Sequence, residues 1–486
     1  MTVRLPMFML LLLSAVLTEL AHASTDAALE FAPCRVTLGA QSEDGECATL
    51  VRPENPKDAE SQSVSLFVVR FAAKSPARAD DAFTIIQGGP GMSSIDLYMG
   101  RRASFANIRQ NRDIVLIDQR GTGRSNMFGC PLPEDPTLVP TPEASKALAQ
   151  ECLEQFDGAA EHYTTARAIE DLEALRASAG YPAFTLYGVS YGTRVAIEYA
   201  RAYPNKTRAL LLDGVVPPSV NLAGNEISLR SQQAFDRVAK RCSEEPDCEA
   251  AHGDLTEQFA KARRLLSEKN ATVKLAHPRT GEMLEREITE LDLLGVVRLM
   301  PYSTESLALM PLLLSEAANQ NYTMLAAQLI SIEEDFFANY AVGMNNSVMC
   351  TEDYPYLTEQ ERESLLNTFF AGTMVETIAA VCEVWPRGQD YSQSRQAFAS
   401  AIPTLVMSGE LDPITPPQNG QLLVDMFSNA QHVIVPGHGH GVFDRGCVNQ
   451  LVNDFVASPN FSEFDASCVE RERAFPLFIN KLGPNQ

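Results

Sequence analysis

The 486-residue chain is short of positive charge: 39 Lys and Arg stand against 62 Asp and Glu, leaving a formal charge of −23. That deficit excludes binding of nucleic acid through its phosphates, which needs basic patches. Histidine is scarce, with seven residues, and none of the ten cysteines forms a CxxC pair with histidines at ligand spacing. No metal and no other cofactor is therefore expected. The glycine-rich stretches contain neither a Walker lysine nor G-x-G-x-x-G, so they are not phosphate cradles. Beyond the first two dozen residues no apolar run is long enough for a transmembrane helix, and no internal repeat or low-complexity tract stands out.

What is present begins with an address. Arg4 precedes the apolar run Met7 to Leu17, broken only by Ser14, and Ala21-His22-Ala23 offers small residues where a signal peptidase reads. Cleavage is expected after Ala23, giving a secreted or periplasmic protein. The run is too short to span a bilayer core of ~30 Å, Glu19 interrupts its end, and no cysteine follows to carry a lipid. Hydrophobic residues make up 45% of the chain, ample for a large core. The ten cysteines form an even set in an exported chain, which predicts disulfides. Pairing in chain order, Cys34–Cys47, Cys130–Cys152, Cys242–Cys248, Cys350–Cys382 and Cys447–Cys468, closes only local loops.

Short β-branched runs alternate with amphipathic stretches, the pattern of a mostly parallel sheet flanked by helices. Strands are expected at Ser65–Phe71, Phe83–Gln87, Asp113–Asp118, Phe184–Tyr187, Arg208–Asp213, Thr404–Ser408 and His432–Val435, with helices at Thr165–Ala179 and Tyr191–Ala202. The rhythm changes after Val215-Val216-Pro217-Pro218 and resumes at Ile402. This gives four segments: a signal peptide (1–23), a first core piece (24–220), a helical cap with few strand signals (221–400), and a second core piece (401–486).

Gly188-Val189-Ser190-Tyr191-Gly192 matches G-x-S-x-G between an expected strand and an expected helix, the setting of a nucleophile elbow. Ser190 is the expected nucleophile, and a serine hydroxyl needs a base oriented by an acid. Of the histidines, only His438 and His440 lie in a glycine-rich loop after the last strand; His440 is preferred because it follows a Gly-x-Gly turn. Asp412, just past the strand Thr404–Ser408, is the preferred acid, with Glu410 and Asp213 as rivals. The chain order Ser, Asp, His is that of the α/β-hydrolase fold, here with an inserted helical cap. Oxyanion donors are expected at the backbone N–H of Tyr191 and of Gly89, in Gly88-Gly89-Pro90-Gly91.

Gln87-Gly-Gly-Pro-Gly-Met92, Asp118-Gln-Arg-Gly-Thr-Gly-Arg-Ser125, the serine pentapeptide, Asp412 and Gly439-His440 together resemble the prolyl iminopeptidase and tripeptidyl aminopeptidase family of α/β-hydrolases. The exported tripeptidyl aminopeptidase branch is closer, with Cys47 to Pro53 and the pair Cys447 and Cys468 after the histidine. The resemblance implies Ser190, Asp412 and His440 as triad and Gly89 and Tyr191 as oxyanion donors. Prolyl iminopeptidases often have histidine where Gln87 stands, a departure that bears on proline specificity. Asp118 to Ser125 reads as a structural turn with Arg120 paired internally.

An exopeptidase of this kind holds a free α-ammonium. Glu352 and Asp353 are the candidates, with Glu333, Glu334 and Asp335 in reserve. The implied activity is a secreted serine aminopeptidase acting on peptides through an acyl-enzyme. An esterase or lactonase on the same triad is the alternative, and a catalytically silent binding protein a third. Residue preference, oligomeric state and the number of residues released are not written in the sequence.

Overall fold

The computed structural model describes residues 28–131, 141–223, 225–334, 339–365, 368 and 371–484. The expected leader and Asp335 lie outside them. Eleven strands occur among the described residues: β1 (Ala32–Leu38), β2 (Gln41–Pro53), β3 (Ser63–Phe71), β4 (Ala82–Ile86), β5 (Ile114–Ile117), β6 (Phe184–Val189), β7 (Thr207–Asp213), β8 (Ala271–Ala276), β9 (Met283–Ile288), β10 (Thr404–Gly409) and β11 (Ala430–Val435). Nine form one sheet in the order β1-β2-β3-β5-β4-β6-β7-β10-β11. From β5 to β11 the neighbours run parallel; β1, β2 and β3 form an antiparallel flank, and β3 meets β5 antiparallel.

Every residue of β4, β5, β6 and β10 is buried. Both faces of these strands are covered, which is why they read as unbroken apolar runs rather than as alternations. Successive side chains serve opposite faces: Phe184 and Leu186 of β6 join one core, Tyr187 and Val189 the other. Strands β1 and β2, unmarked in the sequence analysis, carry exposed polar residues such as Arg35 and Thr37 in β1 and Gln41, Ser42 and Asp44 in β2, so they lack the apolar signal that betrays a central strand.

The chain between β7 and β10 is mostly helical and has a core of its own, including Phe235, Phe259, Leu293 and Leu313. Few strands were expected there; the antiparallel hairpin β8–β9 is one, alternating buried Val273 and Leu275 with exposed Thr272 and Lys274. Leu411, from the loop after β10, is buried in the inserted core. The insertion is thus packed onto the C-terminal edge of the sheet. A reciprocal Thr289–Asp292 capping box starts the helix Glu290–Leu299, which runs directly into the tight turn Met300–Tyr302.

The five disulfides are Cys34–Cys47, Cys130–Cys152, Cys242–Cys248, Cys350–Cys382 and Cys447–Cys468, the chain-order pairing. Local pairing follows from the fold, since each bridge joins neighbouring elements without crossing the sheet. The largest loop, 32 residues, is closed by Cys350–Cys382. Replacing both cysteines by serine is expected to cost about 3–4 kcal/mol of unfolding free energy through the unfolded chain's regained entropy. Urea denaturation at neutral pH measures it; a loss below ~1 kcal/mol would contradict this account.

Candidate active site

Ser190 stands between the end of β6 and the first residue of the helix Tyr191–Ala202, with φ 57° and ψ −129°. A non-glycine residue in that region costs about 1–3 kcal/mol and persists only where its surroundings force it. Here its N–H donates to the Asp213 carbonyl at 2.9 Å, tying the turn to the end of β7. The flanking glycines let backbones meet. A Cβ on Gly88 would sit 2.6 Å from Ser190 Cβ, and one on Gly192 would run into the Ile86 carbonyl. The loop after β4 is thereby pressed against Ser190.

On the other side of Ser190, Gly214 lies against the His440 ring: a Cβ there would be 3.0 Å from its Cε1. His440 Nδ1 is 2.8 Å from Asp412 Oδ2. This contact fixes the proton on Nδ1 and leaves Nε2 as the acceptor. Asp412 is fully buried and is held by the N–H groups of Ile414 and Thr415, at 2.9 and 2.8 Å, and by the Thr415 hydroxyl at 2.8 Å. Burial alone would raise its pKa, but the His440 imidazole and these donors keep it below the usual carboxylate range. Burial lowers the His440 pKa, and Asp412 and Asp213 more than compensate, so it ends above the ordinary imidazole value of 6.5.

The rival residues have other partners. Asp213 accepts from the N–H groups of Val442 and Phe443, at 3.0 and 2.9 Å, and from the Tyr187 hydroxyl. It shapes the loop that carries His440 without hydrogen-bonding the ring. Glu410 accepts from the Gly437 N–H at 2.8 Å. His438 Nδ1 is taken up by the Pro436 carbonyl. Thr415, unremarked in the sequence, also reaches His440 Nδ1 at 3.1 Å; its only sequence sign is its place three residues after Asp412.

Tyr191 begins its helix, so its N–H has no acceptor within it. The Gly88 N–H is taken by the Gln87 side chain at 2.9 Å, whereas the Gly89 N–H makes no hydrogen bond among the described residues. The insertion straps both loops. Ala341 N–H donates to the Gly91 carbonyl at 3.0 Å, and the Tyr340 ring lies 3.2 Å from where a Gly89 Cβ would be. Opposite, His440 N–H donates to the Tyr302 carbonyl at 3.2 Å, and the Tyr302 ring meets the imidazole edge-on with centroids 5.1 Å apart. Nothing in their sequence context singled out Tyr302 or Tyr340, because their approach exists only after the insertion docks.

Glu352 and Asp353 are not free carboxylates. Both are wholly buried, and Asp353 forms a two-pronged pair with Arg194 at 2.8 and 2.9 Å. Glu352 accepts the N–H and hydroxyl of Thr165, each at 2.7 Å, and lies 3.7 Å from Arg194. The Thr165 hydroxyl also meets the Tyr191 phenol at 2.8 Å. Burial raises the Glu352 pKa to about 7 against the pull of Arg194. Arg194 stands four residues after Ser190, so these acids brace the serine helix from within. Of the reserves, Glu333 pairs with Arg286 and Glu334 with His277. Arg120 is paired to Asp171 by two hydrogen bonds, and Asp118 accepts from Ser93, Ile95 and Arg124. Trp385 packs beside Phe128 and donates to the Ser347 hydroxyl.

Comparison with known proteins agrees with this architecture. Residues 81–271 match the family described as alpha/beta hydrolase fold, and residues 367–468 match the family described as TAP-like protein. Serine protease Hip1 of Mycobacterium tuberculosis (strain ATCC 25618 / H37Rv) is 24% identical, over 90% of this chain and 91% of that protein. Tripeptidyl aminopeptidase of Streptomyces lividans is 24% identical, over 76% of this chain and 72% of its own. Proline iminopeptidase of Xylella fastidiosa (strain 9a5c) is 30% identical over a shorter stretch, 27% of this chain and 31% of that one.

The brace has a measurable strength. Arg194→Met removes the two-pronged partner of buried Asp353 and leaves it the Leu222 N–H and Arg395, at 4.0 Å, a change worth roughly 3–5 kcal/mol. Chemical denaturation is expected to show that loss, and the double change Arg194→Met with Asp353→Leu to recover much of it. Equal stability of wild type and the single variant would mean that the pair carries no such role.

Proposed function

Since the chain is an α/β-hydrolase-fold serine hydrolase with a TAP-like C-terminal segment, we propose that it is an exported aminopeptidase that releases short peptides or single residues from free N-termini. The supporting observation is the Asp412–His440 pair beside a strained Ser190. In this reading Ser190 Oγ attacks the scissile carbonyl carbon while His440 Nε2 takes its proton. The N–H groups of Gly89 and Tyr191 receive the developing oxyanion, each worth about 10²–10³ in rate. The imidazolium then returns the proton to the departing amine, the C–N bond breaks, and the acyl group stays on Ser190. Water, activated by the same histidine, releases the peptide. Asp412 holds the tautomer throughout and remains ionised.

Export is supported by the five disulfides, which persist in oxidising compartments, and by the leader with its expected cleavage after Ala23. One observation favours the second reading, an esterase on the same residues. The engagement of Glu352 and Asp353 with Thr165 and Arg194 removes the carboxylates expected to receive an α-ammonium.

The two readings separate on a peptidyl anilide and its N-acetylated twin. The aminopeptidase reading expects the free form to be cleaved at least ~10-fold faster, reflecting roughly 1.4 kcal/mol of ammonium recognition. Equal cleavage of the twins, or reaction with simple esters alone, would move the protein to the esterase reading. Under either reading Ser190→Ala is expected to lower kcat by about 10⁵–10⁶.

The acid limb of kcat/KM follows the base. With the His440 pKa raised, its neutral form prevails only above the ordinary imidazole value, so activity is expected to fall as pH drops through a midpoint above 6.5. Asp412→Asn removes the main raising influence: the midpoint is expected to move down and kcat to fall about 10⁴-fold. A midpoint that stays put in this variant would assign the limb to another group.

A further inference from the structure

We propose that Arg298 is a carboxylate-binding residue of the substrate site, selecting substrates with an anionic group next to the scissile bond. The group is an acidic side chain or a free C-terminal carboxylate. The proposal rests on the serine hydrolase reading, and not on ammonium recognition.

Arg298 is in the last turn of the helix Glu290–Leu299, four residues before Tyr302. The helix runs into the tight turn Met300–Tyr302, so Arg298 stands about one turn before Tyr302 along the chain. Tyr302 in turn lies against the His440 ring, and Tyr340 lies against the Gly89 loop. The Arg298 charge acts on both phenols, opposing the burial that raises their pKa values. One guanidinium is therefore within electrostatic range of the two tyrosines that lie against the His440 ring and the Gly89 loop.

The guanidinium lacks the partners that other buried arginines have. Arg112, Arg120 and Arg194 are each bonded to a carboxylate. Arg298 makes no ion pair among the described residues, and its Nε is buried without a hydrogen-bond partner. The side chain as a whole is only half-buried, so a ligand can reach it. A planar fork with open donors suits a carboxylate.

Arg237 adds to the local field. Its Nε and Nη2 are also buried without partners, and its charge acts on Glu410 and Asp412. The carboxylates nearby are committed: Asp412 to His440, and Glu410 to the Gly437 N–H. An unpaired guanidinium beside the site of a chain that carries −23 overall gives an anion a local partner.

The test uses the full mature enzyme and three matched pairs of neutral and anionic substrates. Ala-Ala-Gln and Ala-Ala-Glu p-nitroanilides probe an acidic side chain. Tetra-alanine amide and tetra-alanine free acid probe a terminal carboxylate. p-Nitrophenyl butyrate and the mono-p-nitrophenyl ester of succinate probe the same charge without a peptide bond. In at least one pair the anionic member is expected to have about 10-fold or more higher kcat/KM, the worth of a charged hydrogen bond. The responding pair identifies the source of the carboxylate.

Arg298→Gln is expected to bring that ratio to about one, and Arg298→Lys, which keeps charge but loses the fork, to an intermediate value. Titration with a fluorophosphonate counts folded, reactive enzyme in each preparation. Absence of an anionic preference in all three wild-type pairs overturns the proposal without any variant. So does a preference that survives Arg298→Gln. Silent peptide pairs with a responsive ester pair would sink the aminopeptidase reading and leave the role of Arg298 standing.

Discussion

The backbone at Ser190 is held in a conformation that its own side chain disfavours, and much of the candidate site depends on what holds it there. Three neighbours do so: the Asp213 carbonyl at the end of β7, the β4 loop pressed in through Gly88, and the start of the serine helix, passing the Ile86 carbonyl at Gly192. Each comes from a different strand end. Only a parallel arrangement of β4, β6 and β7 brings these C-terminal ends to one edge. The sheet is therefore the clamp, and its continuous burial is what stiffens it.

The insertion is part of that clamp. It touches the His440 loop through Tyr302 and the Gly89 loop through Tyr340 and Ala341, and it reaches the serine helix through Glu352 and Asp353. The acids that sequence reading offered to a substrate ammonium are spent on holding the protein together. The reason is steric and electrostatic. Arg194, one turn beyond Ser190, is buried with no water to solvate it, so a carboxylate must arrive from the docking segment.

Electrostatic assignments in the site follow from the same packing. Asp412 is buried yet ionised because four donors converge on it, and its charge together with Asp213 raises the affinity of His440 for a proton. Thr415 completes this cluster. Near it Arg237 and Arg298 make no ion pair among the described residues, although the protein as a whole is strongly acidic.

The central strands, the strand–turn–helix at Ser190, the pairing of Asp412 with His440 and the disulfide pairing are all legible in the sequence. Buried parallel strands leave continuous apolar runs, a sharp elbow demands glycines at set spacings, and local bridges need only near neighbours. The antiparallel flank strands β1 and β2 escaped notice because they carry exposed polar residues. Tertiary structure alone decided which carboxylates are free and which are paired, since pairing depends on distances between segments far apart in the chain. Glu352 and Asp353 read as candidates for substrate until Arg194, more than 150 positions earlier, is found beside them. Arg298 reads as an ordinary helix cation until folding brings it within electrostatic range of Tyr302 and Tyr340 and leaves it without an ion pair among the described residues.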